Sequence, residues 1–238
     1  MPRQLSLTED LVARVEREEA DPGPDKNLAA LTPAEREAYA RAFLQQIDGQ
    51  PFRVFAYGSL IWKPAFDHIE ARRVLAHGWR RSFCLDIDRW RASPEQPGLM
   101  LALEQGGSCN GVTYRMPEDD RLGRMLRLFE REVAYHEDMI SVRWLTVREG
   151  AESFAALAFY CLPRSDPYYI RLSLEAQAAR LARACGHVGS GAAYLRNTVE
   201  HLEQLGIHDA YLWKLQALVA AEIAALHPDP PHGRAEEV

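Results

Sequence analysis

Apolar positions in this chain change their spacing twice, and the changes divide it into three stretches. Over residues 5–20, Leu5, Leu7, Leu11, Val12 and Val15 recur at helical steps, with Ser6 or Thr8 as the N-cap, until Asp21-Pro22-Gly23-Pro24-Asp25 breaks the pattern. Thr32-Pro33-Ala34-Glu35 then starts a second helix, running to about residue 46: the threonine and the glutamate three residues on form a capping box, and proline suits the first helical position. From residue 53 to 116 the preferences switch to strand. Runs rich in aromatic and branched residues at 53–57, 80–87, 98–103 and 110–115 are separated by Gly, Pro, Ser and Asn clusters. After Pro117-Glu118-Asp119-Asp120, whose acids suit a helix N-terminus, Leu122, Met125, Leu126 and Phe129 mark a helix that buries one face on the sheet. Two more strands, 142–147 and 154–160, flank the turn Arg148-Glu149-Gly150-Ala151. The final third is helical again: 166–184, an interruption at 186–191, 192–205 with Gly206 as a stop, and 209–225 capped by Asp209. Closely spaced strands with helices on either side predict an α+β domain built on a mixed, barrel-like β-sheet with packed helices. The expected division is an N-terminal helical extension (1–50), the core domain (51–226) and a flexible tail (227–238).

Composition narrows the partners. With 238 residues and 47% apolar content the chain can bury a large core. Its net charge is -6 and its pI about 5.8, with basic residues interspersed among acids. No stripe of positive charge is available to follow phosphates, so nucleic acid is not an expected partner. Neither a long apolar segment nor a basic-then-apolar start is present, so no membrane partner is expected and the cytoplasm is the expected location. Cys84, Cys109, Cys161 and Cys185 lack C-x-x-C spacing and read as reduced structural thiols. Oligomeric state is left open.

The stretch Val54-Phe55-Ala56-Tyr57-Gly58-Ser59-Leu60-Ile61-Trp62-Lys63-Pro64 carries the main candidate chemistry. A buried strand that breaks at Gly58-Ser59 lets a ligand approach main-chain N–H groups closely. Within it, Tyr57 is equally a packing aromatic, Ser59 a small turn residue and Trp62 a core anchor. Ser59 lacks a G-x-S-x-G elbow, which argues against a serine hydrolase. Glu132 follows Glu130 and Arg131, and three successive charges cannot all face a core when a helix turns about 100° per residue. By itself such a glutamate reads as a solvated end. Gly186-His187-Val188-Gly189-Ser190-Gly191 looks like a nucleotide loop, but no Gly-Lys-Ser/Thr follows, so it reads as a connection. His136, Glu137 and Asp138 lack H-E-x-x-H spacing, and His201 and His208 are separated by the helix stop at Gly206, so no metal site is expected.

Taken together, several segments resemble the ChaC family of γ-glutamylcyclotransferases, whose members cut glutathione into 5-oxoproline and cysteinylglycine. The glycine-serine loop at 54–64 is one. Gly78-Trp79-Arg80-Arg81-Ser82-Phe83-Cys84-Leu85, Gln96-Pro97-Gly98-Leu99-Met100-Leu101-Ala102-Leu103 and Gly111-Val112-Thr113-Tyr114-Arg115 are similar to its next strands. Leu128-Phe129-Glu130-Arg131-Glu132, Gly189-Ser190-Gly191-Ala192-Ala193-Tyr194-Leu195 and the region 202–218 extend the likeness over roughly residues 51–220. The resemblance implies that Glu132 is the catalytic general acid and base, and that N–H groups of Tyr57, Gly58, Ser59 and Leu60 hold the γ-glutamyl portion of a small-molecule substrate, glutathione or a related compound. It implies no cofactor and no metal. Val133-Ala134-Tyr135-His136-Glu137-Asp138-Met139-Ile140 departs from the family, which commonly shows a Gly-Tyr or nearby tyrosine there. That departure leaves two alternatives: a cyclotransferase for other γ-glutamyl amines or dipeptides, and a non-catalytic γ-glutamyl-binding regulatory module.

Overall fold

The computed structural model describes residues 3–64, 66–163 and 166–228, so nearly all of the expected tail lies outside the described residues. Five strands, β1 (Arg53–Ala56), β2 (Glu70–Ile87), β3 (Gly98–Arg115), β4 (Val142–Glu149) and β5 (Glu152–Phe159), close into a barrel in the order β1-β3-β2-β4-β5. Every pairing is antiparallel except that of β1 with β5, which is parallel at Val54 and Leu157. This is the mixed, barrel-like sheet the strand pattern predicts, and closure leaves it without a free edge. Alternation along each strand builds two cores. Phe55, Val74, Leu103, Leu145 and Ala156, one from each strand, fill the inside. Val54, Ala56, Val112 and Leu157 face outward into the helices. All four residues of β1 are buried because both of its faces are covered.

Two strands are far longer than the sequence pattern suggests. The runs at 80–87, 98–103 and 110–115 belong to two 18-residue strands that pair with each other, with register shifts between His77 and Trp79 and between Phe83 and Leu85. Gly78, Gly106 and Gly107, which read as breaks, adopt φ of +81°, +113° and +71° across from one another. They bend a continuous hairpin, as glycine in bulged strands does, and so curve the sheet toward closure.

Helices cover the outside. α1 (Glu9–Ala13) is shorter than the pattern over 5–20, because the chain leaves the helix beyond Arg14 while still burying Val15. α2 (Pro33–Gln45) carries the full capping box between Thr32 and Glu35. α3 (Ser59–Trp62) is a single turn directly after β1, and α4 (Arg121–Glu132) buries Met125, Leu128 and Phe129. A 3₁₀ turn, His136–Ser141, leads into β4. α5 (Leu174–Leu181) is followed by a two-stranded ribbon of β6 (Cys185–Gly186) and β7 (Gly189–Ser190), then by α6 (Gly191–Gln204) and α7 (Ala210–Leu226). α6 ends as its sequence predicts: Gly206 at φ +66° donates to Glu203 O, and Ile207 donates to Leu202 O. Among the described residues no helix is long and apolar enough to cross a membrane.

The first fifty residues share the main core. Leu7, Val12, Leu31 and Ile47 belong to the same buried cluster as Phe52, Met125, Leu195 and Val219. The Leu7 N–H donates to Oε1 of buried Gln216 at 2.8 Å.

Candidate active site

The site is built around the break after β1. The Gly58 carbonyl accepts from Ile61 N–H at 2.9 Å and the Ser59 carbonyl from Lys63 N–H at 2.8 Å, which makes the single turn of α3. Leu60 and Ile61 are buried and anchor that turn, so Leu60 presents main chain, not side chain. A Cβ at Gly58 would lie 3.1 Å from the Tyr194 hydroxyl and 3.3 Å from Leu101. Glycine thus lets the Tyr194 hydroxyl, from α6, close onto the turn beside Ser59. Behind the turn, Arg81 donates from Nε to the Tyr57 carbonyl at 2.6 Å, from Nη2 to the Asn110 carbonyl at 2.5 Å and from Nη1 to Asp209 at 3.0 Å. Its side chain is only 1% exposed. A buried guanidinium holding three acceptors fixes the main chain just before Gly58.

Glu132, the last residue of α4, forms the second wall. Its side chain is 21% exposed, and Arg131 Nε lies 3.0 Å from its Oε1. The same guanidinium donates from Nη1 to the Lys63 carbonyl and reaches Ser59 Oγ at 3.5 Å from Nη2. Arg131 therefore ties the end of α4 to the glycine-serine turn. Burial raises the Glu132 carboxyl above its ordinary 4.5, and the Arg131 charge opposes this without cancelling it. Glu132 in turn helps raise both nearby phenols, after their own burial: Tyr57 well above its usual value and Tyr194 to about 12.

A third wall comes from the loop after β2. The Arg91 guanidinium lies 5.1 Å from the Tyr194 ring centroid and 5.9 Å from that of Trp62, and donates to the Ser190 carbonyl at 3.2 Å. Trp62 and Tyr194 pack edge to face, and Trp62 Nε1 donates to Thr198 at 3.3 Å, so Trp62 both anchors α3 and supports Arg91. Burial pulls Arg91 below the usual arginine value, with Tyr194 and Glu16 opposing. It remains a cation with donors to spare.

Tyr57, Gly58, Ser59 and Leu60 lie on one turn, and Glu132 is joined to that turn through Arg131. Tyr194, Arg91, Arg131 and Arg81 were not singled out. Tyr194 sat within a segment already noted for its likeness, whereas Arg91 carried no spacing signal in the run Arg89-Trp90-Arg91. The glycine string at 186–191 is the turn of the ribbon. A Cβ at Gly186 would fall 2.4 Å from the Trp90 carbonyl, so its glycine allows the ribbon to press on the loop that carries Arg91. His136 pairs with Glu35 at 3.4 Å and Asp138 accepts from the N–H groups of Ala134 and Tyr135. Among the described residues no three His, Cys, Asp or Glu side chains converge as metal ligands would. A cavity of about 500 Å³ is bordered by Arg81 but by neither Glu132 nor the Tyr57 to Leu60 turn. Its polar walls pair with one another, Arg80 and Tyr169 with Glu104, and Arg81 with Asp209.

In chemical terms the site offers main-chain donors, a carboxyl with elevated proton affinity and a cation on an aromatic face. That set suits a small zwitterion whose protons must be moved. Comparison with known proteins points the same way. Residues 52–222 match the family described as ChaC-like protein. The glutathione-specific γ-glutamylcyclotransferase of Escherichia coli is 34% identical over 182 residues, 76% of this chain and 78% of that protein. γ-Glutamylcyclotransferase 2-3 of Arabidopsis thaliana is 32% identical over 170 residues, 68% and 85% of the two chains. The crystal structure of a yeast γ-glutamyl cyclotransferase specific to glutathione shares the fold, with a TM-score of 0.63 at 18% identity over 72% of this chain and 96% of that one. With the match running from the start of β1 into α7, through every wall of the site, this chain belongs to the ChaC-like protein family.

Proposed function

We propose that this chain is a glutathione-specific γ-glutamylcyclotransferase, a lyase that releases 5-oxoproline and cysteinylglycine. The substrate's own α-amine is the nucleophile and its γ-amide carbonyl the target, so ring closure needs little beyond positioning and proton transfer. Glu132 takes a proton from the attacking amine as the new C–N bond forms. The negative charge that develops on the carbonyl oxygen is met by N–H groups of the Tyr57 to Leu60 turn, the position at which such donors are worth most. When the old C–N bond breaks, Glu132 returns its proton to the departing nitrogen of cysteine, and the balance closes with no other reactant. A carboxyl raised above its ordinary value suits both halves of this cycle better than a fully solvated one would. Arg91 pairs with a carboxylate of the substrate. The observation that carries this reading is the Arg131 bridge from Glu132 to Ser59, which sets the proton carrier against the turn.

We place the enzyme in the cytoplasm, a reading supported by four cysteines that are all buried and unbridged. Purified protein given glutathione should release cysteinylglycine and 5-oxoproline in equal amounts. Glutathione that binds but is not turned over would overturn the assignment in favour of a binding module. Faster turnover of γ-glutamylalanine or γ-glutamyl-lysine than of glutathione would overturn the substrate.

A further inference from the structure

The segment ahead of the family match, which begins at residue 52, reaches both walls of the site. At one end Oε1 of Glu16 accepts from the Ser190 hydroxyl at 2.7 Å and from the Ser190 N–H at 3.1 Å. Ser190 is fully buried, and its carbonyl is the acceptor that holds the Arg91 guanidinium. Its hydroxyl also caps α6 by accepting from Ala193 N–H at 3.0 Å. Glu16 therefore completes a chain of contacts from the N-terminal segment through Ser190 to Arg91. At the other end, Leu31 N–H donates to the Ala134 carbonyl and His136 N–H to the Ala29 carbonyl, both at 3.1 Å, two to four residues beyond Glu132. Between these anchors, Asp25 pairs with Arg89 at 2.9 Å, and its N–H donates to the Tyr135 hydroxyl at 2.6 Å. The segment runs from the Arg91 wall to the Glu132 wall and is bonded to both.

We infer that residues 16–31 form a strap that belongs to the active site, in which Glu16 is a positioning residue: through Ser190 it aims Arg91 at a carboxylate of the substrate. The inference rests on the reaction proposed above and adds to it a part from outside the matched region. Without the Glu16 oxygen, a buried N–H and hydroxyl lose their acceptor, and Ser190 is free to turn its carbonyl away from Arg91. Arg91 then keeps its charge and its aromatic bed but loses its aim, so substrate binding weakens while the proton transfers at Glu132 do not.

The test uses the full-length chain and compares E16A with E16Q. E16A should raise KM for glutathione about tenfold and leave kcat within about twofold, the pattern of lost uniform binding on the scale of one hydrogen bond to a charged group. E16Q keeps an oxygen acceptor for both Ser190 hydrogens and should return KM to near that of the parent. On an R91K background E16A should add little, because the aim it sets is already lost. An unchanged KM in E16A, failure of E16Q to restore it, or an E16A effect that multiplies fully with R91K would each overturn the inference. Turnover of the parent chain reports on the reaction separately: a parent that cleaves glutathione beside an E16A of unaltered KM removes only the role given to Glu16.

Discussion

Burial holds the Glu132 carboxyl above its ordinary 4.5, and the Arg131 guanidinium at 3.0 Å pulls it back. A general base must be ionised, so kcat/KM should rise with pH through the raised Glu132 value. Removing the arginine removes the charge that favours the carboxylate, so in R131A this acid limb should move to higher pH; a pH–rate profile with an unmoved limb would show that Arg131 has no such hold. The same shift bears on stability. A carboxyl that binds its proton more tightly when folded contributes stability below about 4.5 and loses that contribution as pH rises through the folded value. E132Q, which stays neutral, should therefore melt higher than the parent at pH 7, with the gap closing as pH falls toward about 4.5. Its turnover should fall by about 10² to 10⁴-fold while glutathione still binds, as expected for loss of general acid–base help. Near-parental turnover in E132Q would rule out the role assigned to Glu132.

At the scale of elements, the glycine-serine turn depends on a residue from another strand. Arg81 on β2 reaches the main chain after β1, the main chain of β3 and the N-cap residue of α7. R81M would fill most of the space but strand the Asp209 carboxylate and two carbonyls in a buried setting. Urea unfolding should show a loss of about 3–5 kcal/mol, the usual cost of removing one partner of a buried charge pair. Because Tyr57 would lose its tether, kcat/KM should fall with it; a variant that loses stability and keeps full activity would show that the turn holds its shape unaided. The bent hairpin of β2 and β3 shows why strand lengths were not legible in the sequence. A glycine at positive φ ends an isolated strand but bends a paired one, and only the partner strand decides between these. Three helix ends were legible because their causes are local: the Thr32 box, the Asp209 cap and the Gly206 stop each involve residues within five positions of one another. The start expected at 166 was not, since α5 begins at Leu174 behind the Ser173 cap.

For the whole molecule, the N-terminal residues are part of one fold with the barrel. Leu7 has no exposed surface, packs in the main core and is bonded through its N–H to Gln216 on α7. L7A should cost about 2–5 kcal/mol in urea unfolding, the range for a leucine truncated in a close-packed core. A cost below about 1 kcal/mol, closer to that of an ordinary surface change, would show the segment to be a detachable preface. The strap from Glu16 to Leu31 makes the same dependence functional, because the core holds its flanks in place.

The sequence by itself determined the class of fold, the caps at Thr32 and Asp209, the stop at Gly206, the break at Gly58-Ser59 and, through a family likeness, Glu132 as the acid and base to examine. These follow from neighbours along the chain and from recurring strings of residues. Tertiary structure alone decided what surrounds that glutamate. Arg131, still partly open to water, reaches back to the turn, Tyr194 closes on Gly58, Arg91 is held by the Ser190 carbonyl, and Glu16 arrives from a segment the likeness does not reach. These residues come from separate helices, strands and loops, and no periodicity records which of them will meet. Closing the barrel and packing α4, α6 and the N-terminal strap around it brings their charges within bonding distance, and that proximity gives them their chemistry.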